Sequence, residues 1–256
     1  MASPLVASAP TKSPITPHIA YYKVKIEKVS KGIPISDLNG IMVLKMDNVC
    51  DGWIIEQKSS SKAELGSNIG EEQEQDLDSQ YNVWESNQGN KLSFFSRRIH
   101  NKEEMLDIAG DSETKKNNTL INFNKPEALN MKTTSAILFP IKHLEKQIKA
   151  MNDGTKSIST LVFDGSSFGE PVKITTAFGT TAAKISVQDN NKKLHEIEAY
   201  PLNMSVFGAN SDKPSFEIKQ QMSKSGIMSS YLIDFGTYSL RGQLVKVEYL
   251  NDKKKC

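Results

Sequence analysis

Apolar and polar residues trade places at every second position through most of this chain, and that period leaves few folds open. In Tyr22-Lys23-Val24-Lys25-Ile26-Glu27 the residues Tyr22, Val24 and Ile26 share one face of an extended segment. Lys23, Lys25 and Glu27 share the other. The pattern returns at the far end, where Val245, Val247 and Tyr249 alternate with Lys246 and Glu248. Between them, strand candidates fall at 41–46, 53–58, 81–85, 92–99, 105–108, 119–123, 159–163, 172–178, 184–188, 196–200, 203–207, 215–222, 228–235 and 238–250. Asp51-Gly52 marks one turn, and Gln88-Gly89-Asn90 marks a hairpin between 81–85 and 92–99. The acidic run Glu71, Glu72, Glu74, Asp76 and Asp78 reads as a solvated loop or strand edge, since it lacks the glycine-centred pattern of a calcium loop.

One segment has a different period. Ile141, Leu144, Ile148 and Met151 are spaced three, four and three, which puts them on one face of a helix. Pro140 suits its first turn and Gly154 its end, so the spacing predicts a helix over about 140–152 with strands on both sides. The expected fold is therefore mainly β, with about 12–14 antiparallel strands and one central helix. No strand–helix alternation of the parallel kind appears. A sheet of that many strands must curl or split into two layers.

Composition narrows the function classes. Hydrophobic residues are 38% of 256, enough for a large core. No apolar stretch approaches the length of a membrane-spanning helix. The 32 basic and 30 acidic residues leave a net charge of +2, and only Arg97, Arg98 and Arg241 are arginine. That balance argues against a nucleic-acid partner, which would call for a basic face rich in bidentate phosphate ligands. His18, His100, His143 and His195 share no metal-ligand spacing, and no Cys/His pattern suggests zinc, so neither metal nor cofactor is expected. The run Phe163-Asp164-Gly165-Ser166-Ser167-Phe168-Gly169 lacks the order of a nucleophile elbow and the lysine of a phosphate loop. It reads as a strand end and a turn. Asn117-Asn118-Thr119 and Asn203-Met204-Ser205 match the glycosylation pattern, which matters only in a eukaryotic secretory protein. No catalytic residue stands out.

The two cysteines, Cys50 and Cys256, are either separate thiols or one disulfide. Their even number favours a bond, as does the placement of Cys256 at a terminus, where a core residue has little use. The bond would close a loop of about 207 residues and point to an oxidising compartment. Residues 1–17, with Pro4, Pro10, Pro14 and Pro17, read as a flexible leader ahead of a single domain over 18–256. This leader has no basic start and no apolar core of its own. An export signal would therefore have preceded the chain and been removed.

Several short motifs, taken in order, resemble one family. They are Pro17-His18-Ile19-Ala20-Tyr21-Tyr22, the stretch 35–43 with Asn39-Gly40, and Val49-Cys50-Asp51-Gly52-Trp53. Leu138-Phe139-Pro140-Ile141-Lys142-His143, Val162-Phe163-Asp164-Gly165, Phe235-Gly236 with Tyr238, and Cys256 follow. Together they resemble the EipB-type cell-envelope integrity proteins of alphaproteobacteria, with Ile19 standing where that family carries arginine. The resemblance implies a periplasmic, non-enzymatic protein folded as a spiral-like open β-barrel, with a disulfide between Cys50 and Cys256. It also implies an architecture similar to lipoprotein carriers, a curved sheet around a helix. The expected function is maintenance of the envelope by binding, as a monomer, a periplasmic partner such as a helical-repeat protein or an envelope component such as lipid. Two other readings stay open: a carrier of lipid or lipoprotein acyl chains inside the curled sheet, and a hydrolase of envelope glycan.

Overall fold

The computed structural model describes residues 13–66, 73–189, 193–209 and 211–250. Eight strands come first: β1 (His18–Val29), β2 (Ile35–Asn48), β3 (Gly52–Leu65), β4 (Gln73–Ser86), β5 (Lys91–His100), β6 (Glu103–Lys115), β7 (Asn118–Lys125) and β8 (Leu129–Thr133). A two-residue strand, β9 (Ile137–Leu138), leads into the helix α1 (Pro140–Asn152). Then follow β10 (Ser157–Val162), β11 (Val172–Phe178), β12 (Ala183–Gln188), β13 (Leu194–Phe207), β14 (Phe216–Ser223), β15 (Met228–Asp234) and β16 (Tyr238–Tyr249).

All sixteen strands belong to one sheet, ordered β8-β7-β6-β5-β4-β3-β2-β1-β16-β15-β14-β13-β11-β10-β9. β12 branches off and pairs with the first half of β13, while β11 pairs with the second half. The count exceeds the expected 12–14 because β8 and β9 are too short to show a period. The antiparallel expectation also needs two corrections. β12 meets β16 in parallel at Gln188↔Lys246. β9 and β10 run parallel at Ile137↔Leu161 and Val162↔Leu138, because α1 crosses between them and returns the chain in the same direction. The acidic run is a strand in its described part: Glu74, Asp76 and Asp78 are exposed at alternate positions of β4. Glu71 and Glu72 lie outside the described residues.

The sheet curls around α1. Trp53, Ile55, Val83, Phe94, Ile108 and Phe123 of β3–β7 share one core with Ile141 and Ile148 of the helix and with Leu202 and Met222 of β13 and β14. Strands far apart in the sheet order meet only if the sheet bends back on itself. A second core, with Tyr22, Met42, Val187, Ile197 and Tyr231, lies under β1, β2, β12, β13 and β15. Residues 15 and 16, just before β1, are tied down: Ile15 is 4% exposed, and the Thr16 amide donates to Ser225 O at 2.9 Å.

The two ends of the sheet overlap without pairing. Thr160 and Val162 of β10 are buried on one face, so Leu161 points to the other. Yet Leu161 packs against the core that holds Ile121 of β7 and Met131 of β8. The β7–β8 end therefore lies over the outer side of β10. This is a spiral rather than a closed barrel.

Candidate functional site

The helix seat is the most unusual chemistry in the interior. The residue at the N-cap of α1 is Phe139, which has no side chain able to cap, and no acidic residue lies in the first turn of the helix. Its open amides need an acceptor from elsewhere. Glu85, near the end of β4 and fully buried, supplies it. Its carboxylate accepts from the Ile141 amide at 2.6 Å and from the Lys142 amide at 3.1 Å. Burial nevertheless pushes the Glu85 carboxyl up to about 7, against the pull of those two amides and of Lys142. Lys142 itself pairs with Glu145 at 2.7 Å, and Ser13 donates to the other oxygen of Glu145.

The helix buries a second, polar face that its sequence period does not mark. Gln147 donates to Thr176 Oγ1 at 3.2 Å and touches Met204 Sδ. His143 is buried, its Nε2 has no hydrogen-bond partner, and burial, with Lys146 nearby, lowers it to about 4. It is a neutral packing histidine.

The other histidines are held by local bonds and do not converge. His18 meets Thr16 O at 2.7 Å, His100 meets Gln75 Oε1 at 2.8 Å, and His195 meets Asp189 Oδ2 at 2.7 Å. Among the described residues no group of three potential ligands is placed to hold a metal. Asn118 and Thr119 lie at the β6–β7 hairpin with Thr119 buried, and Asn203 lies inside β13.

The 163–171 loop packs its aromatic rings against the core strands. Phe163 packs edge-on to Phe94 at 5.3 Å, and Phe168 lies 4.7 Å from Phe123. Tyr81 donates its hydroxyl to Asp164 O at 2.8 Å. Gly165 is required there: its φ is +72°, and a Cβ would stand 2.3 Å from Phe94 Cγ. The motif is a strand end and a turn, and its rings pack against β5 and β7.

At the overlap of the two sheet ends lies a cavity of about 790 Å³. Ile121, Met131 and Leu161 give it an apolar floor, and Lys132, Glu170 and Lys173 stand around it. β8 forms its wall. That strand pairs with β7 on one edge only, from Thr119↔Thr133 to Phe123↔Leu129.

Of the predicted site residues, Cys50 lies in the β2–β3 turn, where its carbonyl accepts from Asn87 Nδ2 at 2.9 Å. Cys256 lies outside the described residues. Glu85 and β8 escaped the sequence reading. The missing cap at Phe139 is the signal that could have pointed to Glu85.

Fold and site together define a class: one curled, unclosed sheet wrapped on a single helix, with its interior filled and an open seam between its ends. A family model described as EipB-like matches residues 9–251, and the chain belongs to that family. It is 24% identical over 258 residues to the cell envelope integrity protein EipB of Brucella abortus (strain 2308), covering 97% of this chain and 89% of that protein. Its fold matches the crystal structure of a beta-barrel-like protein of a domain of unknown function from Brucella abortus. The TM-score is 0.82 at 22% identity, covering 93% of this chain and 99% of that one.

Proposed function

We propose that this protein works in the periplasm without catalysing a reaction, and helps maintain the cell envelope by binding a periplasmic partner or an envelope component. The observation that carries this reading is the open seam. The interior of the spiral is filled by α1 and packed side chains, and the seam offers another molecule an edge and a surface cavity. The Brucella relative, named for cell envelope integrity, supports the process. An acyl-chain carrier is less well supported, because the seam cavity is more polar than apolar. A glycan hydrolase is less well supported too. Its acid and base must reach substrate, and the raised carboxyl of Glu85 is buried with both oxygens held by helix amides.

A disulfide between Cys50 and Cys256 belongs to the same proposal. Among the described residues no cysteine is free. The neighbouring register also favours the pairing: His18 of β1 faces Met46 of β2 on one side and Tyr249 of β16 on the other. β2 and β16 thus run past β1 in the same direction, and Cys50 follows Met46 by four positions as Cys256 follows Tyr249 by seven.

The test is complementation. Cells lacking the gene should become sensitive to detergent, and a copy exported to the periplasm should restore resistance. Restoration by a copy confined to the cytosol would overturn the periplasmic reading.

A further inference from the structure

Resting on the binding reading above, we propose that the free edge of β8 takes an extended peptide segment of a protein partner as an added strand. Three observations lead there. First, the backbone groups of residues 129–133 that point away from β7 make no hydrogen bond within the described residues. In a strand, the amide and carbonyl of one residue point to one edge and those of the next to the other. A row of alternate donors and acceptors therefore faces the seam, and only another extended backbone complements such a row.

Second, there is room. The 790 Å³ cavity begins at this edge, bounded by Met131, Lys132 and Thr133 on one side and by Glu170, Pro171 and Lys173 on the other. Third, the lining sets the sequence that fits. The floor of Ile121, Met131 and Leu161 is apolar and lies to one face of an added strand. The other face is open. The segment that matches carries apolar residues at alternate positions, with polar residues between them. Lys132 and Lys173 line the cavity together with Glu170 and Asp212, so a segment of low net charge is best matched.

The edge is short, and Lys132 on it is a common device against promiscuous strand pairing. Here the device guards an edge that a cavity leaves accessible. Five residues give two or three main-chain bonds, which suits a reversible contact whose specificity comes from the alternate side chains.

The experiment uses the full chain in its native cell envelope, with a photocrosslinking amino acid at Lys132 and, separately, at Lys58 on the outer face of β3. Crosslinked peptides are identified by mass spectrometry. Leu129→Pro and Asn130→Pro are then compared in the Lys132 background. Both side chains are exposed, and one of the two amides faces β7 while the other faces the seam. The variant that keeps the wild-type melting temperature marks the seam-facing amide.

The expected result is a crosslink from Lys132 to an alternating apolar–polar segment of another protein, about ten-fold weaker in that stable proline variant. A synthetic peptide of the crosslinked segment should slow exchange of the seam-facing β8 amides. An unchanged crosslink in the stable proline variant overturns the strand-addition proposal. So does a crosslink to a second copy of this chain, or to lipid. A partner captured at Lys58 and not at Lys132 overturns the β8 site but leaves the binding reading standing. No partner at either position overturns both.

Discussion

Burial penalises the charged forms of both Glu85, at the seat of α1, and His143, on the polar face of that helix, and shifts them in opposite directions. The Glu85 carboxyl titrates near 4.5 when free and is raised to about 7 in the fold. The folded state therefore holds a proton more readily than the unfolded state, and stability is lost as pH rises from about 4.5 through 7. The loss is about 3 kcal/mol once the carboxylate is fully charged. His143 runs the other way. Lowered to about 4 from 6.5, it resists protonation in the fold, so stability is lost as pH falls from about 6.5 towards 4. Between about 4.5 and 6.5 the two slopes oppose each other. Above that window Glu85 acts alone. Glu85→Gln keeps an acceptor for a helix amide and removes the charge. Its melting temperature should hold steady between pH 6 and 8 while the wild type falls. Parallel curves for the two proteins would show that Glu85 does not titrate in this range.

At the scale of elements, α1 is the part on which the sheet is wound. Ile148 is fully buried in the core shared by strands from both halves of the sheet. Ile148→Ala should cost about 2–5 kcal/mol in chemical denaturation, and a value near zero would mean that the helix is not a core element. The 163–171 loop makes a sharper test. Gly165→Ala meets both a left-handed backbone and the Phe94 ring, so about 2–4 kcal/mol is expected. Gly154→Ala is the control: its φ of +68° is similar, but nothing lies within 4 Å of the added carbon, so only about 1 kcal/mol should be lost. Equal costs at the two sites would show that Phe94 yields.

The helix itself was legible, because four apolar residues at helical spacing and a proline at the first turn admit little else. Its observed bounds, Pro140–Asn152, match the expected ones. What pattern could not show was the polar face of His143 and Gln147, buried because the sheet wraps the helix on both sides. The long strands were legible for the reason that β8 and β9 were not. A period of two needs several repeats to stand out, and β9 has two residues. Glu85 was hidden in a different way, since its role is set by an element 55 positions downstream.

At the scale of the whole molecule, the proposed disulfide would tie Cys256 to the seat of the helix. The β2–β3 turn holding Cys50 is bonded to the β4–β5 turn: the Asn87 amide donates to Asp51 O at 3.0 Å, and its side chain to Cys50 O. That second turn carries Gly89, where a Cβ would stand 2.1 Å from Lys142 Cγ at the start of α1. A covalent link at Cys50 would thus brace the hairpin that ends in Glu85. Seven residues from Tyr249 can extend roughly 23 Å, while the two intervening strand spacings amount to about 10 Å. Cys256 is then within reach of the turn. The closed loop of about 207 residues is long enough that the bond should contribute on the order of 3–5 kcal/mol, chiefly by restricting the unfolded chain. For a chain of this size that is roughly 6–10 °C in melting temperature. Cys50→Ser, Cys256→Ser and wild type with reductant should all melt lower by the same amount, and reductant should have no further effect on either variant. Denatured, unreduced wild type should show about zero free thiols. If one substitution lowers the midpoint and the other does not, the stabilisation comes from packing at that cysteine and not from a bond between the two.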